Sequence, residues 1–367
     1  MMPPSLIDIF KQDEFKLPLV YPEDKDYIIA LLDDKLHKYA NSLGKSPYYE
    51  IIGNENHLRL NNYVTEIINT IKFWYEGKIK NAKDNFNSFL LDQLLSLPLK
   101  TITADQVFYR VRVSEEHKIL KRKDLFHIPF ELRNKVTTQR FSIPGFPCLY
   151  LGNSIYICWE ELNRPNFHDI QTAKLVSRKP FNLYNLSYEQ YNFASKNPDD
   201  LSNKEILNLV MAYPIIAACS IKIPQKRSND PFKPEYIIPQ IIMQSLREQV
   251  NTDGVLGIVY SSTKMYNVGN QNEGIFENYA LPTTSKVKER GFCTDLTNLF
   301  SMTQVVAGWP VDFINLSVQH SEENSFKINN LDLDGISVNY NDTQFALLEK
   351  SLTKQQATPI PDDFIGE

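Results

Sequence analysis

The spacing of apolar residues changes character near residue 100, and that change limits the fold more than any other feature of this 367-residue chain. Before it, Asp26 to Ser42 carries Ile28, Leu31, Leu32, Leu36 and Tyr39 at steps of three and four, one stripe of a helix. Tyr63 to Leu97 repeats the pattern with Ile67, Ile68, Ile71, Trp74, Phe86, Phe89 and Leu94, and Pro98 closes it. After it, Gln106 to Val113 (QVFYRVRV) alternates as a half-buried strand does. Cys148 to Leu151, Ile215 to Ile223 and Leu256 to Tyr260 read as further, buried strands. Helical spacing returns at Ile155 to Leu162 and Pro239 to Gln249. Strands and helices without a regular βαβ rhythm predict an α+β fold and not a doubly wound sheet. The expected organisation is a helical domain over 1–100, a mixed domain over 101–310 and a C-terminal extension or tail over 311–367.

Composition removes several function classes. A net charge of −5 gives no footing for a nucleic-acid surface, which needs clustered Lys and Arg. Cys148, Cys158, Cys219 and Cys293 match no zinc or redox spacing, and the six histidines are scattered, so no metal is expected. The N-terminus lacks the charged-then-apolar order of a signal peptide, and the longest apolar run, Val210 to Ile221, is too short to span a bilayer. A cytoplasmic protein without membrane contact is the expectation. The HExxH, GxSxG, Walker and GxGxxG patterns are absent from the sequence.

What remains is a run of polar residues set into apolar ones: FYRVRV (108–113), HIPFELR (127–133) and RFSIPGFPCLYLGNSIYICWEEL (140–162). Arginine in such a setting is costly unless it meets an anion. Two arginines, an aromatic ring, a carboxylate and a hydroxyl suit a dinucleotide: forks for the pyrophosphate, a ring for a base, a carboxylate for charge developing on ribose. Structural ion pairs in an α+β domain are the competing reading of the same residues.

The order of these pieces resembles the RES domain, named for its Arg, Glu and Ser. FYR stands at 108–110, RFS at 140–142, LYLGNS at 149–154 and GIVYSS at 257–262, and Glu161 follows Tyr150 by eleven residues. EYIIPQIIMQ (235–244) also looks like the family's segment there. The resemblance covers roughly 101–310, and the stretch between Glu161 and Tyr213 has no counterpart in it.

That resemblance implies an ADP-ribosyltransferase-like core of two small packed sheets with flanking helices. It implies NAD+ as substrate, and a toxin or defence effector that cleaves the nicotinamide–ribose bond as an NADase-type hydrolase or phosphorylase. Carried over residue by residue, Arg110 and Arg140 clamp the pyrophosphate or ribose phosphate, and Tyr150 orients nicotinamide. Glu161 binds the ribose hydroxyls and stabilises the oxocarbenium, and Ser262 positions the ribose. Tyr109, Glu160 and Ser261 are the adjacent alternatives, since neighbours on a strand face opposite ways. The partners implied are NAD+ and an antitoxin or regulatory protein, with a homo-oligomer left open. A transferase that modifies one cellular protein and a silent nucleotide-binding module are the alternative functions.

Overall fold

The computed structural model describes residues 9–10, 12–22, 27–46, 48–89, 97–114, 118–191, 201–249, 254–264, 276–284, 289–309, 330–333 and 336–361. The chain divides into two compact units that are each discontinuous in sequence. The first comprises 1–99, 138–143 and 184–249; the second comprises 100–137, 144–183 and 250–367.

The first unit is helical. Ile28–Gly44 buries the stripe Ile28, Leu31, Leu32, Leu36 and Tyr39, as its spacing predicts. Tyr49–Tyr75 bends at Gly53, whose φ of 74° breaks the helical run, and Ile79–Phe89 follows. Asn203–Cys219 opens with a capping box in which Ser202 and Glu205 satisfy each other's backbone N–H groups. Tyr39 and Tyr213 stack at 4.1 Å between ring centres. Their hydroxyls donate to the carbonyls of Val210 (3.1 Å) and Phe15 (2.9 Å). Residues 215–219, expected as a strand, are the last turns of this helix instead. Every residue from Val210 to Cys219 is buried, so the apolar run has no polar face to display a helical period. Ile221 makes only a single parallel bridge, to Leu19.

The second unit is built on a sheet. The strands of this sheet are β1 (Leu99–Ile102), β2 (Val107–Val113), β3 (Cys148–Gly152), β4 (Ile170–Ser177), β5 (Phe181–Leu186), β6 (Val255–Ser261), β7 (Glu277–Pro282), β8 (Phe300–Met302), β9 (Val306–Ala307) and β12 (Thr358–Pro359), with Leu99 of β1 and residues 184–186 of β5 falling within the first unit's ranges. They run in the order β1-β5-β6-β7-β3-β2-β4-β8-β12, with β9 beside β4. A single ten-stranded sheet stands here where the resemblance implies two small ones, within the expected α+β class. A separate hairpin pairs β10 (Asn330–Leu333) with β11 (Ile336–Asn339).

Alternation along β2 divides the core. Phe108 enters a cluster with Leu149, Leu151, Leu175 and Phe300, while Tyr109 and Val111 enter another with Ile155, Tyr156, Tyr340 and Phe345. The second cluster draws on the helix Gln344–Thr353, which buries Phe345, Ala346, Leu348 and Leu352. The expected C-terminal tail therefore contributes a packed helix to the core, together with β12 paired to β8.

Candidate active site

The short helix Ile155–Glu161 places the candidate carboxylates. Ser154 caps it, accepting from the Ile157 N–H at 3.1 Å, and the buried Glu349 carboxylate accepts from the Ile155 N–H at 2.7 Å. The helix can approach β3 because residue 152 is glycine: a Cβ there would stand 2.5 Å from Ile157 and 2.7 Å from the Cys158 sulfur. Its C-terminal end turns through Asn163 and Arg164, both with left-handed φ (64° and 54°).

That turn separates the two glutamates. Glu160 is buried and neutralised, with the Tyr156 hydroxyl at 2.5 Å and Arg164 Nε at 3.1 and 3.0 Å from its two oxygens. Glu161 keeps 31% of its side chain exposed. Its Oε1 accepts from Asn278 Nδ2 at 2.8 Å, and Lys264 Nζ lies 3.7 Å from Oε2. The same ammonium donates to the Glu161 carbonyl and, at 2.9 Å, to Asn163 Oδ1. An arginine or tyrosine is the partner that burial cost predicts for Glu161; the structure supplies Asn278 and Lys264. Of the arginines near the helix, Arg164 is bound to Glu160 and Arg110 to a carbonyl.

Arg110 extends from β2, opposite Ala173 of β4, and donates through Nη1 to the Tyr150 carbonyl at 2.5 Å. Its Nε is buried without a hydrogen-bond partner, and among the described residues no carboxylate pairs with the guanidinium. Burial, and next the Arg112 charge, pull the group down to about 10, while Cys158, Cys148 and Tyr150 act the other way. Arg110 and Glu161 both act on the Cys158 thiol. Burial pushes that thiol up to about 12, Arg110 eases it down, and Glu161 raises it. The cation and the carboxylate thus act on the same thiol in opposite directions.

Tyr150 sits on β3 opposite Ala280 of β7. Burial raises its hydroxyl well above the ordinary value, with Cys148 and Tyr260 adding to the rise. Ser262 is buried just past β6, its N–H on the Phe276 carbonyl at 3.3 Å and its Oγ accepting from the Lys264 N–H at 3.2 Å. Ser261 is also buried and pairs with Glu277 across β6 and β7. Arg110, Tyr150, Glu161 and Ser262 therefore all belong to the second unit, linked through Cys158, Asn278 and Lys264. Tyr109 is a core residue, 5% exposed, with burial raising its hydroxyl.

Arg140 belongs to the first unit. Its Nη1 and Nη2 donate to the carbonyls of Cys219 and Ile221, each at 3.0 Å, and its guanidinium lies 5.2 Å from the Tyr236 ring centre. A cation at the C-terminal end of Asn203–Cys219 also suits the helix dipole. Its described contacts are those of a helix cap.

Asn278 and Lys264 are site residues that the sequence reading did not single out. Asn278 stands on β7 opposite Tyr260 and Gly152, two positions inside the motif strands. Strand pairing, which the sequence does not display, is what brings it to Glu161. Among the described residues, no group of three or more His, Cys, Asp or Glu could hold a metal ion, and no helix is long and apolar enough to cross a membrane.

The chain is similar to a protein of Bacillus subtilis (strain 168), "Putative toxin YopC", with 30% identity over 297 residues, 77% of this chain. That relative is named as a toxin. The chain spans 66% of the relative's length, slightly under two thirds. No protein-family model matches the chain, and no solved structure matches it.

Proposed function

We propose that this chain is a toxin that cleaves the bond between nicotinamide and ribose in NAD+. The observation that carries this reading is Arg110: a guanidinium with a buried, unpartnered Nε and no carboxylate partner among the described residues, acting on the same Cys158 thiol as Glu161. A desolvated cation left open in this way favours an anion that can offer two oxygens, as a pyrophosphate does. The toxin name of the relative agrees with a lethal activity and does not specify the chemistry.

In this mechanism the N-glycosidic bond breaks and its electron pair passes to the pyridinium nitrogen, so nicotinamide departs neutral. Positive charge grows on the ribose carbon. Glu161, fixed by Asn278 and half-exposed, supplies the opposing charge without reorganising. Water then adds at that carbon and releases a proton, giving free ADP-ribose; a protein nucleophile in place of water would make the same site a transferase. Tyr150 and Ser262 orient the nicotinamide riboside half.

The test is nicotinamide release from labelled NAD+ by the purified chain and by Glu161→Gln. Loss of one preorganised charge contact is expected to lower turnover by about 10²–10³. Label recovered as free ADP-ribose assigns hydrolysis, and label retained on protein assigns transfer. Equal release, or none from either form, would overturn the proposal.

A further inference from the structure

A cavity of about 410 Å³ opens beside Arg112, two residues along β2 from Arg110, and its lining comes wholly from the second unit. Three cations border it, Arg112, Lys123 and Lys135, against two carboxylates, Asp124 and Glu131. Arg112 is steadied by donating to the Asp124 carbonyl at 2.5 Å, and no carboxylate pairs with it or with Lys135 among the described residues. Each carboxylate is anchored by a backbone N–H, Asp124 by Lys121 at 2.9 Å and Glu131 by Gly291 at 2.7 Å. An ionised carboxylate has about four acceptor positions, so both retain capacity for hydroxyl groups.

The rest of the wall is apolar: Ile128, Pro129, Leu132 and Phe292. His127 adds a ring and no charge. Its Nδ1 donates to the Ile128 carbonyl at 2.8 Å, and its Nε2 accepts from the Cys293 N–H at 2.9 Å. Cations for a phosphate, carboxylates for ribose hydroxyls and an apolar wall for a base are the three elements of nucleotide recognition. Ligand pockets span roughly 300–1,000 Å³, so this volume suits a mononucleotide and is small for a dinucleotide.

We infer that this cavity binds a nucleoside monophosphate, either free or as the adenosine half of a larger ligand. The inference goes beyond the cleavage reading, because binding here needs neither Glu161 nor any bond breaking.

Calorimetric titration of the full chain with adenosine monophosphate tests it, with inorganic phosphate and adenosine as separate arms. The nucleotide is expected to bind at least about tenfold more tightly than either fragment. Lys135→Glu and Leu132→Glu both alter exposed positions at the rim, so the fold should survive, and each is expected to weaken binding about tenfold or more. Glu161→Gln should leave it unchanged even if nicotinamide release is lost. Displacement by NAD+ would assign the cavity to the adenosine half of the dinucleotide. Simultaneous binding of both would assign it to a free nucleotide, and either result sustains the site. Inorganic phosphate binding as well as the nucleotide, no saturable nucleotide binding, or rim variants that bind like the wild type would each overturn it.

Discussion

Arg140, in the 138–143 segment of the first unit, is buried, and Arg110, on β2 of the second, is half-buried with its Nε enclosed, and their surroundings differ in kind. Around Arg140 the protein supplies two carbonyls at the end of a helix and a tyrosine face. Around Arg110 it supplies one carbonyl, a second arginine nearby, and nothing for Nε. Both arginines occupy motif positions, so sequence pattern alone ranks them equally. Their hydrogen bonding separates them: Arg140 donates through Nη1 and Nη2 to two carbonyls, whereas Arg110 leaves its buried Nε without a partner, so we read the first as holding the fold and the second as open to a ligand.

The largest expected effect tests the first half of that comparison. Arg140→Ala removes two charge-assisted hydrogen bonds and orphans two carbonyls at a helix end. Bonds of this kind are each worth about 1.5–3 kcal/mol, so unfolding free energy should fall by about 3–6 kcal/mol. Denaturant titration measures it. A stability close to wild type would move Arg140 from the structural class back among the ligand-binding residues.

A second buried charge in the sheet unit sharpens the contrast, because the protein treats it differently from Arg110. Glu349 is 1% exposed and accepts from the Ile155 N–H and the Tyr340 hydroxyl, and burial raises its carboxyl from 4.5 to about 7. A carboxyl raised on folding contributes stability that is complete below pH 4.5 and is lost as pH rises through about 7. Glu349→Gln keeps an acceptor there without the charge. It should gain up to about 3 kcal/mol over wild type at pH 8 and nothing near pH 4. Parallel unfolding curves at the two pH values check this. An equal difference at both would mean that Glu349 titrates normally.

Much of the second unit was legible because its strands obey local rules. QVFYRVRV alternates, CLYLG is short and apolar between turns, and the helix Ile155–Glu161 is announced by the Ser154 cap. The α+β class follows from that mixture. Residues 215–219 misled because burial on all sides erases the period that distinguishes helix from strand. The helix Gln344–Thr353 and its Glu349 were missed for a different reason. They follow a polar stretch, and only long-range packing shows that they complete the core around Tyr109 and Tyr156. Of the candidate site, Arg110, Tyr150, Glu161 and Ser262 came from motif order, while Asn278 and Lys264 come from strand pairing and a turn. The choice of Glu161 over Glu160 rests on Arg164, a residue that becomes relevant only when the helix ends in a left-handed turn.

The central distinction is tested most directly on one variant, Arg110→Ala, placed in the Glu161→Gln background so that NAD+ is not consumed. NAD+ affinity and unfolding free energy would be measured on the same sample. Removing a cation that makes one hydrogen bond and carries a desolvation cost should change stability by no more than about 1 kcal/mol. Losing the proposed pyrophosphate contact should weaken NAD+ binding about tenfold or more. Unchanged NAD+ affinity together with a stability loss as large as that of Arg140→Ala would contradict it and make Arg110 a second structural cation.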